Sequence, residues 1–231
     1  MSEISAAALP GPVLGLSAAS GSAAGLALPG GESHQAASDQ PRAHVETMIP
    51  LVEAVLGRAG LAPSELAAIA VGRGPAPYTG LRVALMTARA LGFALGLPVW
   101  GVSDLDALAA GAAQRLDLPA GARLEAVLDA KRREVYWARY RVDRPGRLDG
   151  LERLVGPAVG PPRPAGAAAL AIGPGAAKYA PAVGPAADAA GVDPVVLARL
   201  AAGRAARGEA EASQPLYLRR PHVQPAGGRP A

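Results

Sequence analysis

The sequence has no Cys among its 231 residues, which excludes a disulfide framework, a thiolate zinc site and a Cys nucleophile. Its three His (His34, His44 and His222) lie too far apart for a His-rich metal cluster. Aromatic residues make up only 3%, with a single Phe, and Lys occurs only at Lys131 and Lys178. A dedicated nucleic-acid binder would carry a denser basic stripe interleaved with stacking rings. Gly, Pro or Arg interrupts every apolar stretch before it reaches the roughly 20 residues of a membrane helix. Met1 to Pro12 lacks the basic and apolar regions of a secretory signal. These absences predict a soluble, cytoplasmic protein with no membrane partner.

What is present is Ala, Gly, Pro and Arg, with 29 Gly, 23 Pro and a formal net charge of +4. The apolar residues fall into strand and helix patterns, so this bias overlies a globular plan. Val13–Leu16 and Ser22–Leu28 predict a hairpin, with a third, weaker strand near Ser33–Ala37. A helix follows, capped by Ser38 or Asp39 with Pro41 in its first turn. Its core stripe is Val45, Met48, Ile49, Val52 and Leu56, and Pro50 should kink it. Leu66–Val71 predicts a buried strand, Thr79–Leu95 a long helix stopped by Gly96, and Pro98–Val102 another strand. Ser103 and Asp106 resemble a capping box for the next helix, and Asp104 and Asp106 read as first-turn acids complementing its dipole. The N-terminal order is therefore βββαβαβα.

Beyond a break at Pro119 and Gly121, Glu125–Asp129 and Glu134–Tyr140 alternate like paired strands across a Lys131-Arg132-Arg133 turn. Gly156–Gly166 reads as irregular connection and Ala168–Ile172 as a strand. Asp193-Pro194 opens a final helix ending near Gly208. This pattern predicts an N-terminal lobe over residues 1–118, a smaller C-terminal lobe over 119–220 and a disordered tail over 221–231.

Two Gly-rich turns invite a phosphate reading. Gly72-Arg73-Gly74-Pro75 empties a strand into the helix that contains Thr79 and Gly80, and Gly173-Pro174-Gly175 does the same later. A helix N-terminus with free amides favours anions. Neither turn carries the Gly-Lys-Ser/Thr of a Walker loop, and on spacing alone an ordinary tight turn is the favoured reading of both.

The ordered set of motifs carries more. It comprises Gly72-Arg73-Gly74-Pro75-Ala76-Pro77-Tyr78-Thr79-Gly80-Leu81-Arg82, Gly101-Val102-Ser103-Asp104-Leu105-Asp106-Ala107-Leu108, Asp129-Ala130-Lys131-Arg132-Arg133-Glu134-Val135-Tyr136 and Pro215-Leu216-Tyr217-Leu218-Arg219-Arg220-Pro221. Together they resemble the bacterial TsaB (YeaZ) family, subunits of the machinery that makes threonylcarbamoyladenosine next to the tRNA anticodon.

The resemblance implies an α/β, two-lobed actin/Hsp70-like (ribonuclease H-like) fold with mixed sheets flanked by helices. It also implies a non-catalytic subunit that pairs with TsaD, the threonylcarbamoyl transferase, alongside a TsaE-type ATPase. Contact with tRNA would be indirect, and the sequence leaves open whether a homodimer replaces the pair when TsaD is absent.

TsaD proteins carry two His four residues apart, where this chain has Asp104 and Leu108, so that metal site is not reproduced. The acid that ends the first strand in actin-like nucleotide binders is replaced by Ser17, followed by Ala18 and Ala19. The expectation is no catalytic residue, no metal and no cofactor of its own, with weak ATP or ADP binding only in the complex. The phosphate loops, Ser17, Gly74, Pro75, Thr79, Gly80, Gly173 and Gly175, would be degenerate. The partner surface is expected on two helices, at His44, Thr47, Leu51 and Val55 and at Arg82, Met86, Arg89 and Phe93. The alternatives are an actin-fold nucleotide hydrolase or kinase acting alone, which Ser17 disfavours, and a metallopeptidase-like role, which lacks its His pair.

Overall fold

The computed structural model describes residues 9–38, 40, 44–166 and 169–219, and the side chain of His44 lies outside the description. The expected cap at Asp39, the first-turn Pro41 and the tail from 221 also lie outside it. The chain forms two mixed sheets. In the first, β1 (Val13–Ser17), β2 (Ser22–Ala27) and β3 (Ser33–Ser38) make an antiparallel meander, and β4 (Ala68–Gly72) and β5 (Val99–Val102) add in parallel on the other side of β1. In the second, β6 (Arg123–Asp129), β7 (Val135–Val142) and β8 (Leu151–Gly160) are the meander, and β9 (Ala169–Ile172) and β10 (Ala186–Asp188) add in parallel beside β6. The same five-strand plan thus occurs twice, the duplicated architecture of the actin/ribonuclease H-like fold.

The helices are α1 (His44–Ala59), α2 (Tyr78–Leu95), α3 (Asp104–Arg115), the short α4 (Pro174–Lys178) and α5 (Ala180–Val183), and α6 (Pro194–Ala206). Buried Val and Leu of β1 and β4 meet the inner stripes of α1 and α2 in one continuous core. The inner stripe of α1 is Met48, Val52, Val55 and Leu56, whereas Val45 and Ile49 face solvent. This corrects the predicted stripe: the buried positions are those that pack on β2, β3 and α2. A second correction concerns Gly156–Gly166, whose first part, to Gly160, is the end of β8 paired with β7. Pro157 lies within that strand, which borders the edge of the sheet, where a missing N–H can be tolerated.

The chain returns to the first sheet after crossing the second. α6 packs on β1 and β2, and β11 (Glu211–Ala212) pairs with β5. Two glycines permit this return. Gly15 and Gly25 are register partners on adjacent strands; a Cβ on Gly15 would stand 2.0 Å from the Pro194 carbonyl oxygen, and one on Gly25 2.8 Å from the Val195 nitrogen. Strand glycines here mark close backbone approach. The cap at Asp193 forms as expected: its carboxylate accepts from the amides of Val195 (2.8 Å) and Val196 (3.3 Å).

Asp106 joins the two halves. It lies in the first turn of α3, but its side chain does not close a capping box. It accepts from the Tyr140 hydroxyl on β7 (2.8 Å), from Arg153 on β8 and from Arg204 on α6 (2.9 Å). Burial alone would raise its carboxyl; Arg153 and Arg204 outweigh that and hold it below the usual carboxylate range. Replacing Asp106 with Ala would leave Arg153 without its carboxylate and Arg204 with Glu211 alone, and we expect a loss of about 2 kcal/mol in urea unfolding. Asp106→Asn, which keeps hydrogen-bonding capacity but not charge, should lose less.

Candidate functional site: the interlobe cleft and the outer face of α1 and α2

A cleft of about 640 Å³ opens where the β1–β2 turn, the first turn of α2, the end of β6 and α4 converge. Ala18 and Ala19 line it from the first lobe, with Tyr78, Thr79 and Gly80 from α2, and Asp129, Lys131, Pro174 and Lys178 complete it from the second.

Ser17 does not offer its hydroxyl to this cleft. It is buried and donates to Asp104 Oδ1 at 2.7 Å. The other Asp104 oxygen accepts the Gly74 amide at 2.7 Å, and the Asp104 amide donates back to the Gly74 carbonyl at 2.9 Å. One carboxylate therefore ties together the end of β1, the Gly-Pro loop and the start of α3. Asp104 lies in the first turn of α3 as expected, but its side chain is buried and points inward to these partners. Gly72 makes the room, since a Cβ there would stand 2.1 Å from Asp104 Oδ1. The expected Ser103 cap is also corrected. Ser103 makes no side-chain cap bond, and its buried hydroxyl has no partner among the described residues.

These contacts occupy the groups a phosphate would need. The Gly74 amide already serves Asp104, and Pro75 has no N–H. In the second turn the Gly173 amide donates to the Asp188 carbonyl (2.6 Å). Gly175 is buried so tightly against β6 that a Cβ would stand 2.7 Å from the Leu128 carbonyl carbon. Thr79 and Gly80 remain on the cleft wall. The cleft's carboxylate is Asp129, bonded to Lys178 (2.6 Å), to the Lys131 amide (2.9 Å) and to the Tyr179 hydroxyl (3.2 Å), with the Lys131 ammonium at 3.1 Å. Burial pushes its carboxyl up; the two lysines outweigh this and hold it below the usual range. Asp129, Lys131 and Lys178 were not foreseen as cleft residues. The only signal in the sequence is that Asp129 ends a strand next to a basic turn, and that both lysines of the chain come to this one place.

The expected partner residues separate into two groups. On α2, Arg82, Met86, Arg89 and Phe93 form one outward stripe, with Phe93 92% and Met86 59% exposed. Arg89 is engaged within the chain, donating to the Ser213 hydroxyl (3.2 Å) and carbonyl, and Arg82 donates to the Tyr78 hydroxyl. On α1, Thr47 and Leu51 are half-buried. Val55 is fully buried, which corrects its assignment to an outer face; its place there is taken by Val45 (69% exposed) and Ile49 (42%). His44 begins the helix.

Burial pushes the Asp104 carboxyl up, the hydrogen bonds from Ser17 and Gly74 pull it back, and the balance is about 6. Because the folded value lies above the ordinary 3.8, the folded state binds the extra proton between those values. This group's contribution to stability is therefore largest below 3.8 and is lost as pH rises through about 6. Asp104→Asn should remove that slope from urea midpoints followed across the range. Asp104→Ala should cost about 1–3 kcal/mol at acidic pH, because the Ser17 hydroxyl and Gly74 amide lose their acceptor, and less as pH rises through about 6.

The family described as "TsaD: tRNA N6-adenosine threonylcarbamoyltransferase" matches residues 35–176. A protein from Mycobacterium tuberculosis is 48% identical over 118 residues, covering 51% of this chain and 48% of its own length. The tRNA threonylcarbamoyladenosine biosynthesis protein TsaB of Escherichia coli is 37% identical over 112 residues, 48% of this chain and 47% of its own. The match thus spans about half the length of these curated relatives or less. Among solved structures, a Pseudomonas aeruginosa protein described as similar to peptidase YeaZ superposes with a TM-score of 0.74 at 30% identity, over 90% of this chain and 100% of that one. YeaZ from the same organism gives 0.73 at 29% identity. None of the described helices is long and apolar enough to cross a membrane. Motif order, duplicated topology and superposition over 90% of the chain agree, and the chain belongs to the TsaB (YeaZ) family.

Proposed function

We propose that this chain is a non-catalytic subunit that docks on a TsaD-type threonylcarbamoyl transferase and supports formation of N6-threonylcarbamoyladenosine in tRNA. The observation that carries the docking is the apolar outer face of α1 and α2, where Val45, Ile49, Met86 and Phe93 stand in solvent. A monomer leaves large side chains such as Phe93 uncovered at a cost of about 1.5–3 kcal/mol each relative to burial. A partner that presents the same pair of helices on a related fold would cover them. Thr47 and Leu51 lie beside this face, and Arg82 contributes a cation at its edge.

The non-catalytic reading is supported by how the cleft is used. Ser17 and Gly74 serve an internal carboxylate, and Asp129 is held by two lysines. A nucleotide hydrolase working alone would need a carboxylate free to hold magnesium; Ala18 and Ala19 line the corresponding wall. Any ATP or ADP would bind weakly and only within the complex. In this reading a TsaE-type ATPase joins the larger assembly, and the same helix face forms a homodimer when TsaD is absent.

Replacing Met86 or Phe93 with Glu should abolish co-purification with TsaD while leaving the thermal midpoint within about 2 °C, because both side chains are already exposed. Complex formation unchanged in the Phe93→Glu, Met86→Glu double variant, with the fold intact, would overturn the docking face. Recovery of the wild-type chain with another partner and no TsaD would overturn the function.

A further inference from the structure

We propose that the mouth of the cleft, where Tyr78 and Tyr217 meet the Lys131–Arg133 turn, binds a phosphorylated nucleotide of an RNA strand. This deepens the tRNA reading and rests on it only for the choice of RNA over free nucleotide as the source. A hollow of about 370 Å³ adjoins the main cleft there. Pro77 and Tyr78 of the α2 entry, Lys131 and Arg132 of the turn, and Tyr217 and Arg219 of the C-terminal segment contribute to its lining.

The turn is an unusual piece of backbone. Lys131, Arg132 and Arg133 have φ of 61°, 53° and 60°, three consecutive L-residues in the left-handed region. Each costs roughly 1–2 kcal/mol relative to ordinary conformations. Local bonds hold them: the Asp129 carboxylate takes the Lys131 amide at 2.9 Å, Glu134 N–H donates to the Lys131 carbonyl at 3.0 Å, and Ala130 N–H donates to the Glu134 carbonyl at 2.9 Å. Strain concentrates where the presentation of side chains matters. Here the result is a rigid tip with Arg132 and Arg133 exposed, neither having an acidic partner among the described residues.

Charge and aromatic character coincide at this place. Arg82, Lys131, Arg132, Lys178 and Arg219 adjoin the mouth, with Arg133 next in the turn, against the acids Asp129 and Glu134. Two of the chain's five Tyr also meet here: the rings of Tyr78 and Tyr217 stack with centroids 4.9 Å apart, and the Arg82 guanidinium carbon lies 3.9 Å from the Tyr78 ring centre. Tyr217 remains 41% exposed. A ring platform beside unpaired arginines is the combination that holds a base and its phosphates, sequence-tolerantly and salt-dependently. Met86 and Phe93, further along the outer face of α2, are left free for the protein partner.

The test uses the full chain and three probes: a fluorescent unmodified tRNA anticodon stem-loop, ATP, and inorganic tripolyphosphate. The expected result is RNA binding by anisotropy, weakened about tenfold by Tyr217→Ala. In Arg132→Ala, Arg133→Ala the log–log salt slope should fall by about 1.4, which is two single-strand phosphates. Tyr217→Phe keeps the ring and should bind like the parent, as should Arg123→Ala, at the far end of β6. Binding of ATP but not RNA, with the same variant pattern, would support the site and assign it to free nucleotide. Tripolyphosphate binding as tightly as either would overturn the base platform. Equal RNA affinity in parent and variants, or no binding of RNA or ATP, would overturn the proposal. Co-purification with TsaD should be untouched by these variants, so failure here is distinguishable from failure of the docking face.

Discussion

Two carboxylates in the first turn of α3 hold this molecule together, and they face different partners. Asp104 closes on Ser17 and Gly74 and fixes the strand ends of the first sheet; Asp106 closes on Tyr140, Arg153 and Arg204 and fixes the second sheet and α6. Their spacing of two residues on a helix points the side chains in different directions, so a single turn serves both lobes. The cost of burying each charge differs accordingly. Asp106 is compensated by two guanidiniums and stays ionised, whereas Asp104 has only neutral donors, and its carboxyl rises to about 6.

The same arrangement explains the character of the cleft. In a fold built from two copies of one sheet plan, strand ends and Gly-rich turns converge between the lobes, which is where ligands bind in open α/β sheets. In this chain the convergence is consumed internally. A hydroxyl, an amide and a carboxylate that could meet a nucleotide meet one another, and Asp129 meets two lysines. What remains accessible lies at the periphery: the basic turn and tyrosine pair at the cleft mouth, and the apolar stripe on α1 and α2. A subunit whose work is assembly would concentrate its exposed chemistry in such places.

The sequence and the structure agree on element order because local signals are strong here. Gly and Pro punctuate the chain, and the buried strands are built from Ala, Gly and aliphatic residues. The agreement fails for elements whose existence depends on a neighbour. β11 is two residues long and exists because β5 offers an edge; β8 extends through Gly156-Pro157 because β7 pairs with it. The inner stripe of α1 is not legible in the sequence because Val45, Ile49, Val52 and Val55 are all apolar, and periodicity cannot rank faces when both are hydrophobic.

The family, the two-sheet plan and the lack of any thiol are determined by the sequence alone, through motif order and residue type. Only the tertiary structure decided what the polar residues do. Asp104 and Asp106 look like helix-dipole acids because local spacing is all that a sequence shows; their partners lie 87 and 98 residues away at Ser17 and Arg204. Likewise both lysines, distant in the chain, meet on one carboxylate at Asp129. The physical reason is common to all of these. A buried charge takes whichever compensating group the fold brings within about 3 Å, and that proximity is a property of packing rather than of sequence separation.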